Sequence, residues 1–365
     1  MLIGTRNLAT DPGVYVIAEL GVNHDGSLQR ALELVDAAKL AGVDAVKLQF
    51  FRAGSLMSRS SRLAEYQAKA GESDPAAMLE RLELSVEDMG RVVDRAHSMG
   101  LHAIVTCFST ELVGVAQELP FDAYKTASPD IIHKPLLLAL SATGKPVIVS
   151  TGASTLDEVR RALDWLAPAH DRLALLQCVS CYPVSAENAS IAGMCDLARC
   201  FDGPIGYSDH TPDQDTSTIA YHLGARVLEK HLTYDRAAKG PDHGASLDLR
   251  GMAEYVMQVR DVPRELERVP RGPALPTLPA GIAGDVRLGT PVKRVLACEE
   301  DVRAVSRQSV VATRDLEPGH VLSRDDLTIK RPGTGIPPYE LDGLVGRRLA
   351  DHVYADTLVR VEDLA

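Results

Sequence analysis

His210 and His231 each follow a short apolar run, in PIGYSDH and ARVLEKH. Two imidazoles at neighbouring strand ends, with oxygen ligands beside them, suit a divalent metal such as manganese, zinc or cobalt, with coordination positions left open. Asp209 adjoins the first histidine and Asp242 follows the second. Lys47 and Lys125 close other apolar runs, and Thr106, Ser128, Ser180 and Ser208 bring hydroxyls to similar places. Lysines for charge and hydroxyls for hydrogen bonds are what a phosphate group requires. The blander alternative is internal ion pairing, Lys47 with Glu19 or Lys230 with Glu229. Burying such lysines without an anion is costly, and in a chain of net charge −11 a local cluster of cations stands out.

These groups recur because the chain repeats one unit: an amphipathic helix, a glycine, then an apolar strand with a polar end. LAGVDAVKLQ, SMGLHAIVT, ATGKPVIVST and HLGARVLEKH are examples. Gly42, Gly100, Gly144 and Gly224 fall where a helix C-cap takes a left-handed residue. Ser27 is the expected N-cap of the first helix, and Ser85 with Asp88 and Ser154 with Asp157 resemble capping boxes. Eight strands are expected, near 14–20, 43–50, 102–108, 121–127, 146–151, 173–180, 204–208 and 225–232. Alternating strands and helices call for a parallel sheet, and eight units close a (β/α)8 TIM barrel whose site lies at the C-terminal strand ends. No G-x-G-x-x-G follows the first strand, which weighs against an open dinucleotide-binding sheet.

At those ends stand Glu19, Lys47 with Gln49, Thr106, Lys125 with Ser128, Thr151, Ser180, Ser208 to His210, and Lys230 with His231. Alternation along the second strand puts Ala45, Lys47 and Gln49 on one face. The barrel is expected to span 1–268, ending in a helix around 251–268. A Pro/Gly-rich linker over 269–305 and a compact unit of short strands over 306–365 follow.

A chain of 365 residues with 45% hydrophobic content accommodates one large and one small domain. The acidic balance argues against a general nucleic-acid or anionic-membrane partner. No run approaches ~18 apolar residues, and the first residues lack a signal-peptide core. Six cysteines, with a C-x-x-C at Cys178 and Cys181, read as small buried side chains in a reducing, cytoplasmic compartment.

AELGVNHDG, VKLQ, LELSVEDM, CVSCYPVSAENASI, GYSDHT, VLEKHLT and GPDHGAS follow one another in order. Together they resemble the sialic acid synthase family, which joins phosphoenolpyruvate to an N-acetylmannosamine-type sugar. LEPGHVLSRDDLTIKRPGTGIPP resembles the antifreeze-like (SAF) domain that completes those enzymes.

The resemblance implies a metal at His210 and His231, manganese foremost, with magnesium, cobalt or zinc as alternatives. It implies phosphoenolpyruvate at Lys47, Thr106, Lys125, Ser128, Ser180 and Ser208, and sugar beside Gln49, Phe108 and Tyr182. Glu19, Asp130 and Asp242 are the acids that would activate water or move protons. Arg331 would meet the sugar's N-acyl group from a domain-swapped partner in a homodimer. Asp130 stands where relatives commonly carry glutamate, so the sugar side departs from the pattern. A related synthase or aldolase using another aldehyde, and a non-catalytic carbohydrate-binding protein, are the rival readings.

Overall fold

The computed structural model describes residues 1–260, 268–272 and 274–365. Eight parallel strands close into a barrel in chain order. They are β1 (Tyr15–Glu19), β2 (Ala45–Phe50), β3 (His102–Cys107), β4 (Ala123–Thr126), β5 (Val147–Ser150), β6 (Leu173–Cys178), β7 (Ile205–Asp209) and β8 (Val227–His231). All eight lie where the sequence pattern puts them. β8 closes on β1 with His231 opposite Glu19. Except for Gln49 and His102, every residue of these strands is buried, as expected of parallel strands covered on both faces.

The covering helices are α1 (Leu28–Ala41), α2 (Val86–Ser98), α3 (Thr110–Gln117), α4 (Lys134–Ala142), α5 (Leu156–Trp165), α6 (Met194–Cys200), α7 (Thr216–His222) and α8 (Leu249–Arg260). α1 illustrates the local logic. The Ser27 hydroxyl accepts the Arg30 N–H, Ala31, Leu34, Val35 and Ala38 form the buried stripe, and Gly42 ends the helix at φ 81°. Ser85 accepts the Asp88 N–H in the same way. The cap of α5 lies one residue beyond the expected Ser154 and Asp157. Thr155 and Glu158 exchange both capping bonds there, because a glutamate reaches back to the cap N–H. Ser154 instead donates to the Gly152 carbonyl at 2.9 Å.

Alternation sorts the barrel interior into layers. Tyr15, Ile17, Ala45, Ile104, Ala123, Ile148, Ala174, Leu176 and Val227 form an apolar lower layer. A short N-terminal hairpin, Leu2–Ile3 with Arg6–Asn7, adds Ile3 and Leu8 to that plug. Full burial of each isoleucine, leucine or valine here contributes about 1.5–3 kcal/mol. This layer offsets the cost of the polar layer above it, where Glu19, Lys47, Thr106, Lys125, Ser208 and Glu229 are all at most 4% exposed.

The chain then runs as a strap over the barrel's flank. Ile282 and Leu288 join the main core, and the Lys293 N–H donates to Asp196 at 2.8 Å. The expected linker is therefore packed rather than loose. Of the helix expected over 251–268, α8 accounts for the part up to Arg260, and 261–267 lie outside the described residues. A further helix, α9 (Glu300–Ser306), leads into a C-terminal unit with β9 (Ser309–Ala312) antiparallel to β10 (Leu327–Lys330). Val310, Leu316, Leu322, Ile336, Leu341, Leu349 and Val359 form its small core.

Candidate active site

The barrel mouth opens into a cavity lined by both domains. Its lower part is the polar layer. Lys47 pairs with Glu19 and donates to Thr106 at 3.1 Å, while Lys125 lies 3.4 Å from Glu229. Burial lowers the Lys47 ammonium to about 7, Glu229 opposing the shift and Lys125 adding to it. A buried ammonium so depressed gains from any anion that joins it. Around the lysines, Ser128 and Ser150 share a hydrogen bond of 2.9 Å, and the Ser180 hydroxyl is buried with no partner among the described residues. Ser208 completes the ring of donors.

One side of the cavity is aromatic and carries the histidines. His210 and His231 have ring centroids 5.3 Å apart, and Tyr182 stacks on His210 at 4.2 Å. His210 Nδ1 is engaged by the Val179 carbonyl at 2.9 Å, which turns Nε2 to the cavity. His231 Nδ1 is buried without a hydrogen-bond partner, 3.7 Å from Asp242. Burial lifts Asp242 to about 6, against the pull of His210 and Lys47. Two imidazoles, an orphaned ring nitrogen and a nearby carboxylate fit a divalent first-row metal whose remaining positions take water or substrate oxygen. Among the described residues no three His, Cys, Asp or Glu side chains converge as a metal cluster.

The upper wall is apolar. Val22, Phe51, Leu56, Met78, Leu79, Leu82 and Phe108 form one cluster, drawn largely from the insertion between β2 and α2. The Arg331 guanidinium lies 5.6 Å from the Phe108 ring centre. The Arg331 backbone N–H donates to the Leu56 carbonyl at 2.9 Å, and its backbone carbonyl accepts from the Ser58 hydroxyl at 2.6 Å. Arg331 belongs to the same chain as the barrel it reaches. Within the single chain, the C-terminal unit completes the cavity.

Glu19, Asp242, Lys47, Gln49, Thr106, Phe108, Lys125, Ser128, Ser180, Tyr182, Ser208, Arg331, His210 and His231 all line this cavity. Asp130 does not. It is 2% exposed, with Oδ1 accepting from Gln308 at 3.1 Å, and burial raises it to about 7 against the pull of Arg331, Gln308 and Lys125. That location suits support of Arg331 better than activation of water. Asp209 also turns away. It pairs with Lys230 at 2.9 Å on the outer face of the sheet, both fully buried, and so leaves the histidines alone.

Some wall residues escaped the sequence reading. Glu229 lies two residues before His231 and so shares its face, a signal that alternation offered. Ser150 lines the cavity, whereas Thr151 donates to the Leu176 carbonyl. Tyr66 stacks on Tyr182 at 5.0 Å, a contact that no local pattern encodes. The C-x-x-C is split: Cys178 Sγ is 3.7 Å from His210 Nδ1, and all six cysteines are free.

Comparison with known proteins agrees with this geometry. Residues 34–269 match the NeuB family and residues 307–365 the SAF domain. The chain is 38% identical over 357 residues to N,N'-diacetyllegionaminic acid synthase of Legionella pneumophila, covering 96% of this chain and 94% of that protein. It is 30% identical to human N-acetylneuraminate-9-phosphate synthase, covering 95% and 92% respectively. The crystal structure of spore coat polysaccharide biosynthesis protein SpsE from Bacillus subtilis superposes with a TM-score of 0.83 at 27% identity, over 100% of this chain and 99% of that one. Among the described residues no helix is long and apolar enough to cross a membrane. A TIM barrel with this C-terminal domain and these relatives is a transferase-type synthase of the class that condenses phosphoenolpyruvate with a sugar. The chain belongs to the NeuB family.

Proposed function

We propose that this enzyme condenses phosphoenolpyruvate with a free N-acetylmannosamine-type amino-sugar aldehyde, giving a nine-carbon 2-keto-3-deoxy sugar acid and phosphate. The observation that carries the reading is the cavity's polarity: buried lysines and open hydroxyls below, an apolar wall and one arginine above. A phosphorylated enol fits the former and an N-acylated sugar the latter. Preference for an unphosphorylated acceptor follows from the distribution of the cations. Among the described residues lining the cavity, Lys47 and Lys125 serve the lower end, and Arg331 is the one lysine or arginine left at the upper wall, with Asp130 as an opposing charge.

Lys47 and Lys125, with Thr106, Ser128, Ser150, Ser180 and Ser208, hold the phosphate so that the enol methylene faces the acceptor. Arg331 and Phe108 take the N-acyl group, and Gln49 and Tyr182 flank the sugar. A divalent metal, manganese by preference, held by His210 and His231 would polarise the aldehyde carbonyl. The methylene carbon bonds to the aldehyde carbon, water adds at the former enol carbon, and phosphate departs. Asp242, raised to about 6 and beside His231, is poised to take and return a proton near neutral pH. Glu19 is the second such acid. Asp130 supplies a nearby negative charge to Arg331.

The test is phosphate release from phosphoenolpyruvate with manganese and a panel of free and 6-phosphorylated N-acyl hexosamines. Release that requires metal and one unphosphorylated sugar supports the reading. Release with only phosphorylated sugars overturns the acceptor assignment, and no binding of phosphoenolpyruvate overturns the reaction. The proposal includes a cytoplasmic homodimer, as the resemblance implies. A solution mass of one chain would remove the dimer. Recovery of activity on mixing His210→Ala and Arg331→Ala chains would support exchange of the C-terminal domain between chains.

A further inference from the structure

Glu299 has no place in the chemistry above, yet its carboxylate is 0% exposed and fully engaged. It arrives on the turn Ala297–Glu299, immediately before α9. Oε1 accepts the Ala153 N–H at 2.6 Å and the Ser180 N–H at 2.8 Å, and Oε2 accepts the Leu296 N–H at 2.9 Å. One side chain from the strap thus joins the loop after β5 to the loop after β6. Charge-assisted bonds of this type are short and strong, and inside a protein they fix position as well as energy.

What it fixes is the phosphate end of the cavity. Ala153 is held at φ +50°, a left-handed conformation that a non-glycine residue adopts at a cost. Glu299 takes its N–H, while Arg303 and Arg307 of the same strap donate to its carbonyl. Both arginines are anchored on Glu158 at 2.7–2.9 Å. The preceding Gly152 packs so tightly that a Cβ would collide with the hydroxyls of Ser180 and Ser128, and its N–H donates to Ser128 at 3.0 Å. Moving residues 152–153 therefore moves both serines. The Ser180 hydroxyl, orphaned and on the cavity wall, receives its position from a backbone N–H that Glu299 holds.

We propose that Glu299 is a positioning residue for the anion subsite: docking of the strap, through this carboxylate, sets Ser128 and Ser180 at phosphate-binding geometry. The dock that carries the C-terminal domain to the acceptor wall thereby also prepares the opposite end of the cavity. This rests on phosphoenolpyruvate being the substrate.

The test uses the full-length, metal-loaded enzyme and the variants Glu299→Ala, Glu299→Gln and Glu299→Asp. Phosphoenolpyruvate and inorganic phosphate affinities are titrated beside the KM of each substrate and the melting temperature. Glu299→Ala should raise the phosphoenolpyruvate KM about tenfold or more, while the acceptor KM stays within about twofold. Glu299→Gln should recover most of this, because an amide oxygen can accept both the Ala153 and Ser180 N–H groups. If the alanine variant does not fold, Glu299→Asp, which keeps charge but loses reach, should show the same selective loss. A lower melting temperature with unchanged anion affinity, or equal shifts in both KM values, overturns the proposal. If wild-type protein binds no phosphoenolpyruvate the functional reading falls instead, and inorganic phosphate then decides. Equal phosphate affinity in wild type and Glu299→Ala, or none in either, overturns the role of Glu299.

Discussion

The two ends of the cavity are built in opposite ways. The lower end is made by barrel strand ends and the loops directly after them, spaced by the barrel itself: Lys47 on β2, Thr106 on β3, Lys125 on β4, Ser150 on β5 and Ser208 on β7. The upper wall is made by additions to the barrel, the insertion that carries Leu56, Met78, Leu79 and Leu82 and the C-terminal unit that carries Arg331. Closed strands hold groups rigidly and alternate them by rule. Insertions and appended domains are free to change without disturbing the barrel. A common phosphorylated substrate at the rigid end and a variable sugar at the adaptable end follow from that division.

The comparison can be broken by substitutions that ignore it. The largest effect is expected at the boundary: His210→Ala should lower turnover by at least about a thousandfold while phosphoenolpyruvate still binds. Near-normal turnover, with metal stripped, would remove the metal from the scheme. Next, Lys125→Ala removes the ammonium 3.4 Å from Glu229, itself 3% exposed, and should lower kcat/KM for phosphoenolpyruvate about a hundredfold. Steady-state kinetics with the acceptor saturating would read it. A smaller and opposite signature belongs to Arg331→Ala, with acceptor KM up about twentyfold and phosphoenolpyruvate KM unchanged. Equal losses for both substrates would mean that the two ends do not act separately.

The smallest effect is on stability. Burial lifts the Asp130 carboxyl to about 7, whereas in the unfolded chain it releases its proton near pH 4. Between those values the folded protein binds more protons. Its stability relative to Asp130→Asn should therefore fall as pH rises from about 4 to about 7, by on the order of 4 kcal/mol, and then level off. Denaturant melts at pH 5 and pH 8 would read this, and a wild-type advantage that grows with pH would contradict it.

The same division explains what was legible in the sequence. Strands, their order and the polar ends follow from a repeated helix–glycine–strand unit, so Lys47, Thr106, Lys125 and the histidines could be located by spacing. Glu229 was missed, although alternation puts it on the face of His231. Asp130 and Asp209 could not be placed in this way. Asp130 follows its strand in a turn, and its true partner, Gln308, is 178 residues away. Asp209 lies one residue off the inward face of β7, and that single step sends it to Lys230 instead of His231. Tyr66, Glu299 and the joining of Arg331 to its own barrel depend on how separate segments dock. No local periodicity carries that information.

The apolar plug under the polar layer has a kinetic consequence. With Ile3 and Leu8 closing the lower end, substrates enter and products leave through one mouth. The phosphate-binding groups lie beneath the sugar wall, so a sugar already seated obstructs the anion's path. Initial-rate experiments should accordingly show compulsory-order binding, phosphoenolpyruvate first. Excess acceptor should then inhibit by occupying the empty enzyme, and raising phosphoenolpyruvate should relieve it.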